Sequence, residues 1–178
     1  QFDWCTFEWG GADIAGSYTD ERCLVSILSS PNVPFTNCTF QNSLYHGARL
    51  HSGSVNNFTS CAFQNNGECG MSVEAGNASP LITTCTFTGN GAYPMATYAS
   101  AVNTIMSLTA TGNGIQRIKL TGNTVYTHTW RDLGIDYLLA TSMTVANGNY
   151  LTLEPGVNIL LDSDVKIVAE GGIYAVGT

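Results

Sequence analysis

Apolar and polar positions along this chain recur in blocks, with no helical period. Five segments align: Phe2-Asp3-Trp4-Cys5-Thr6-Phe7, Phe35-Thr36-Asn37-Cys38-Thr39-Phe40, Phe58-Thr59-Ser60-Cys61-Ala62-Phe63, Ile82-Thr83-Thr84-Cys85-Thr86-Phe87 and Ile105-Met106-Ser107-Leu108-Thr109-Ala110. The ladder position, held by Cys5, Cys38, Cys61, Cys85 and Leu108, recurs at intervals of 33, 23, 24 and 23 residues. Phe7, Phe40, Phe63 and Phe87 each stand two residues beyond it, so on an extended backbone both side chains share one face. A second alternating pair begins ten residues after each ladder position from Cys38 on: Ala48/Leu50, Met71/Val73, Met95/Thr97 and Ile118/Leu120, with Val25/Ile27 one unit earlier.

Two ladders in one register predict an all-β fold, a right-handed parallel β-helix with coils of about 23 residues. One such coil is too small to bury its own apolar face. Stacking coils at about 4.8 Å buries it as a continuous column. A β-sandwich also has evenly spaced short strands, but it does not repeat one inward residue type at a constant interval. The corners are expected at Asn66-Gly67, Asn90-Gly91 and Asn113-Gly114, because Asn and Gly tolerate a left-handed backbone.

The organisation read from this register is a single domain, 1–178. Residues 1–123 form the Cys/Phe-ladder coils, with an insertion near 8–20. The pattern loosens from Thr124 through Thr129-Trp130-Arg131-Asp132, then resumes in C-terminal coils over 124–178. Strands there are expected at 137–140, 151–153, 158–161, 165–168 and 173–176. Gln1 opens directly into a strand and 171–178 reads as though another coil should follow, so a segment of a longer or stacking solenoid is expected, with end-to-end self-association.

Two groups of residues carry a resemblance. The segments 150–159 and 165–178 resemble the recurring element of bacterial surface and secreted β-helix proteins. The Cys-Thr-Phe…Gly-Asn-Gly units resemble the parallel β-helix repeats of the pectate-lyase-like superfamily. What the resemblance implies is architecture; the superfamily mixes lyases, hydrolases, adhesins and plain structural domains.

Composition narrows the function classes. Six basic residues against thirteen acidic ones give a net charge of −7, and Arg22, Arg49, Arg117, Lys119, Arg131 and Lys166 never cluster. That excludes nucleic acid, whose phosphates need grouped cations. No apolar run reaches the roughly 20 residues of a bilayer span, so no membrane insertion is expected. Abundant Gly, Asn, Thr and Ser with scarce Lys suit an extracellular or cell-surface protein, whose targeting segment would lie outside this sequence. Sequons stand at Asn37, Asn57 and Asn77.

Four of the six cysteines lie on the inward ladder and read as buried packing thiols. Cys23, His46 and Cys69 share a coil position, but Cys23 and Cys69 would be two coils (roughly 10 Å) apart, too far for one zinc ion. No metal site and no cofactor is assigned. Catalytic motifs are likewise missing. Arg117-Ile118-Lys119 copies a short polygalacturonase motif without that family's acidic partners. Asp162-Ser163-Asp164 reads as a solvated turn, and the Thr6, Thr39, Thr86, Thr109 row is interrupted by Ala62. The register singles out one outward face instead, with Arg49, His51, Glu74, Tyr98 and Lys119 as candidate ligand-binding residues; His51 and Glu74 should pair across strands at about 5 Å. The functional expectation is a structural or adhesive β-helix without catalysis, a rigid spacer or filament subunit. Polysaccharide binding or degradation is the alternative.

Overall fold

The computed structural model describes residues 1–11, 22–28 and 32–177. Its strands pair in parallel, each with the equivalent strand one coil away, and so build a β-helix of about 23 residues per turn. In the N-terminal coils the chain passes through three sheets in turn. Sheet A holds Phe2–Asp3, Phe35–Thr36, Asn57–Thr59 and Leu81–Thr83; sheet B holds Thr6–Glu8, Thr39–Gln41, Ala62–Gln64, Cys85–Thr88 and Leu108–Thr111. Sheet C runs the length of the described fold: Cys23–Ile27, His46–Leu50, Met71–Val73, Met95–Tyr98, Ile118–Thr121, Tyr137–Leu139 and Ile159–Leu161. In the last coils sheet D (Thr124–Val125, Met143–Val145, Ile167–Ala169) and sheet E (His128–Trp130, Tyr150–Leu153, Gly172–Ala175) take the places of A and B in the coil order.

The register is the one read from the repeat. Phe7 pairs with Phe40, Phe40 with Phe63, Phe63 with Phe87, and Cys85 with Leu108. The rings lie almost flat on one another, with centroid separations of 5.0, 4.7 and 4.8 Å from Phe7 to Phe87. A second stack, Phe2, Phe35 and Phe58, rises beside it at 4.9 Å per step. Offset stacking adds to the area term, and a fully buried Phe contributes about 1.5–3 kcal/mol. Cys38, Cys61 and Cys85 are buried, Cys5 is half-buried, and all are free thiols. Cys61 and Cys85 also donate to the carbonyls of Phe35 and Phe58, each at 3.4 Å. A hydrogen bond with Cys85 and burial together push the Cys61 thiol up, so it stays protonated and inert.

The corners differ from expectation. Each cysteine-bearing unit is two strands, broken before the cysteine by a left-handed residue: Trp4, Asn37, Ser60 or Thr84. At the end of sheet B the left-handed places are Trp9, Asn42, Asn65, Gly89 and Gly112, one residue ahead of the expected Asn-Gly pairs. Asn66, Asn90 and Asn113 instead point inward and are buried. Their amides form a ladder: Asn66 Nδ2 donates to Asn90 Oδ1 at 2.9 Å, and Asn90 Nδ2 to Asn113 Oδ1 at 2.8 Å. Each also donates to a carbonyl of its Phe stack, those of Phe40, Phe63 and Phe87. The glycines that follow serve close approach. A Cβ on Gly91 would lie 2.2 Å from the Gly67 carbonyl oxygen, a backbone atom that cannot step aside.

Two features of the second half escaped the repeat. A 3₁₀ helix, Ala99–Thr104, fills the passage from sheet C toward sheet A. Trp130, in the stretch where the pattern loosens, is fully buried with its ring 5.5 Å from that of Tyr137. The C-terminal strands fall within one or two residues of their expected places. Most of the expected insertion, at 12–20, lies outside the described residues.

Candidate functional site

Alternation on sheet C turns one set of side chains inward and the other out. The outward column Ser26, Arg49, Ser72, Ala96, Lys119 is set by strand pairing, and its neighbour places Glu74 and Tyr98 in successive coils. Ser72 and Ala96 are short, so the column sinks between Arg49 and Lys119. The result is an open groove of about 400 Å³.

Of the five candidate residues, Glu74, Tyr98 and Lys119 line this groove. Arg49 supports it from beside Glu74, with Nε 3.2 Å from Oε1. The Ser72 hydroxyl donates to the same Glu74 oxygen. Burial opposes ionisation of Glu74, but the Ser72 hydrogen bond and the Arg49 charge outweigh it and hold the carboxyl below the usual range. His51 does not make the expected pair with Glu74, because Arg49, one column over and longer, takes that carboxylate. The His51 ring instead leaves Nε2 buried without a hydrogen bond and lies outside the groove lining. Tyr98 spans the rim, its hydroxyl donating to the Glu74 carbonyl at 3.4 Å.

The rest of the lining comes from a column not chosen from the sequence. His46, Cys69 and Tyr93 each stand eight residues beyond a ladder cysteine, so the same register contained them. His46 Nε2 lies 3.0 Å from Glu68 Oε2, while Nδ1 accepts the Cys69 backbone N–H at 3.2 Å. Those two contacts place the ring proton on Nε2. The Lys119 ammonium sits 5.6 Å from the centre of the Tyr93 ring, a cation–π distance. Burial pushes the Cys69 thiol up to about 11, the opposite of an activated nucleophile. Among the described residues no group of three or more His, Cys, Asp or Glu is arranged to hold a metal ion. Ile118, between Arg117 and Lys119, is fully buried in the core, and Arg117 does not line the groove that Lys119 faces.

The lowered pKa fixes a sign for acid sensitivity. A free glutamate titrates near 4.5 and folded Glu74 titrates below it. The stabilisation from this group is therefore complete above the unfolded value and is lost as pH falls through the folded one. Urea unfolding followed from about pH 6 to pH 3 should show wild type losing more stability than Glu74→Gln. Parallel loss in both proteins would mean that the Arg49 and Ser72 contacts do not select the carboxylate.

The family model for a right-handed β-helix region matches residues 23–168. No curated protein and no solved structure matches the chain.

Proposed function

The chain belongs to the right-handed β-helix family, and from that premise we propose that it is an extracellular adhesive β-helix that holds polysaccharide in the groove of sheet C without cleaving it. The observation that carries this reading is the composition of the groove. Two tyrosines, a lysine, a histidine and two carboxylates face one shallow channel on a rigid sheet. Aromatic faces with a few converging polar groups suit the apolar ring faces and hydroxyl rims of sugars.

The charges there support binding over chemistry. His46 is engaged with Glu68, and Glu74 with Arg49 and Ser72. A carboxyl held below its usual range is a fixed anion, whereas a general acid needs the reverse shift. A chain rich in Thr, Ser, Asn and Gly and poor in Lys supports the extracellular part of this reading.

The test is retention during affinity electrophoresis through a panel of neutral and acidic polysaccharides, with and without calcium. Wild type should be slowed by at least one, and the double variant Tyr98→Ala/Lys119→Ala should bind it at least about tenfold more weakly, equivalent to about 1.4 kcal/mol. Unchanged retention would remove the groove from the proposal. Release of reducing or unsaturated ends would replace adhesion with catalysis.

A further inference from the structure

The first coil carries an anomaly that the groove does not use. Trp4 and Trp9 bracket the sheet B strand Thr6–Glu8, and both have left-handed backbones, with φ of 55° and 60°. The same places in later coils are held by Asn37, Ser60 and Thr84 on one side, and by Asn42, Asn65, Gly89 and Gly112 on the other. Those are mostly small or locally hydrogen-bonding residues, which this conformation tolerates; a bulky indole is the least suited to it. Nor does burial offset the strain, since Trp4 is 77% and Trp9 76% exposed. Two strained, solvent-facing aromatics where the fold elsewhere uses Asn, Ser, Thr or Gly point to function.

The surface between them shows what they would hold. Outward from sheet B stand Thr6 and Glu8, then Thr39 and Gln41, then Ala62 and Gln64. Gln41 Nε2 donates to Glu8 Oε2 at 2.6 Å and Gln64 Nε2 to Gln41 Oε1 at 2.9 Å, an amide row running across the strands. A hollow of about 290 Å³ lined by Trp9, Gly10, Asn42 and Leu44 adjoins it. The strip is polar at its centre and aromatic at its two edges, at most roughly 17 Å apart along the extended chain. A protein-binding hot spot has the opposite plan, apolar at the centre and polar at the rim. Sugar rings fit it, with C–H faces on the indoles and hydroxyls on the Thr and Gln groups. Among the described residues, the charged side chains on the first strands of sheets A and B are Asp3 and Glu8, both acidic, and they repel carboxylated sugars.

We infer that Trp4 and Trp9 form a second binding platform, on sheet B, for an uncharged polysaccharide chain. Trp130 is fully buried, so changes in tryptophan emission on ligand addition report on Trp4 and Trp9. A soluble neutral glucan or xylan should shift the emission to the blue and protect it from acrylamide quenching. Polygalacturonate should do neither. The double variant Trp4→Asn/Trp9→Asn should lose retention on the neutral polysaccharide at least about tenfold while its Tm is equal or higher by a few degrees, because Asn accepts the left-handed backbone. The Tyr98→Ala/Lys119→Ala variant should keep the fluorescence response, which separates this platform from the groove of sheet C. A lower Tm in the tryptophan variant would mean that the rings are structural and would overturn the inference. So would a response to polygalacturonate alone, or no response to any neutral chain.

Discussion

Asn90→Ala should lower the unfolding free energy by about 2–4 kcal/mol, read as a shift in the urea midpoint at unchanged slope. The side chain removed is buried in the middle of the amide ladder. Its Oδ1 accepts both the Asn66 backbone N–H, at 3.3 Å, and the Asn66 amide, at 2.9 Å. Its Nδ2 donates to Asn113 Oδ1 and to the Phe63 carbonyl. Alanine leaves the Asn66 N–H and the Phe63 carbonyl short of partners where water does not reach, and an orphaned buried polar group costs about 1–3 kcal/mol. Gln116→Ala is the matched comparison. Its Oε1 closes the ladder by accepting from Asn113 Nδ2 at 3.1 Å, but the side chain is exposed and water can take its place. It should cost less than half as much. Equal effects at the two sites would show that burial is not what gives the ladder its strength.

Phe63→Ala is the other large effect, about 3–5 kcal/mol. Phe63 is fully buried and is stacked on both sides, by Phe40 at 4.7 Å and Phe87 at 4.8 Å. Removing it leaves a gap between two rings that backbone pairing holds at the coil spacing, so the neighbours cannot close it. Phe7 has the same chemistry but is half-buried and has Phe40 on one flat face only. Phe7→Ala should cost less than half the Phe63 value by thermal or urea unfolding. If the two substitutions proved equivalent, stacking would not be the source of the stability.

The architecture was legible because a solenoid writes its register into the sequence. The cysteines and phenylalanines recur at nearly constant intervals, and strand pairing on sheets B and C follows those intervals residue for residue. Conformation at the corners was not legible in the same way. Asn suits both a left-handed turn and an inward hydrogen-bonded ladder, and spacing does not distinguish Asn65 from Asn66. Trp130 was missed because the coils holding it use a different inward set, Val125, Trp130 and Tyr137, with no Cys or Phe to mark it. Part of the groove was visible by column: Glu74, Tyr98 and Lys119 line it, and His46 and Tyr93 stand three residues before the Arg49–Lys119 column in the same register. The exchange of His51 for Arg49 at Glu74 depends on side-chain reach, which a pleat pattern does not encode. The strained tryptophans were invisible, since nothing in Trp4 or Trp9 as letters marks a positive φ.

Sheet C passes unbroken through the region where sheets A and B end and D and E begin. The interior divides there into two apolar clusters, with Leu108 and Leu133 touching both. The molecule is therefore two compartments on a common spine. Damage to one compartment stays mostly local, because each rung leans only on its neighbours. The groove lies mostly over the first compartment, whose Ala48, Leu50, Met71, Val73 and Met95 stand behind it, so it should lose alignment when that compartment loosens and keep most of it when only the second does.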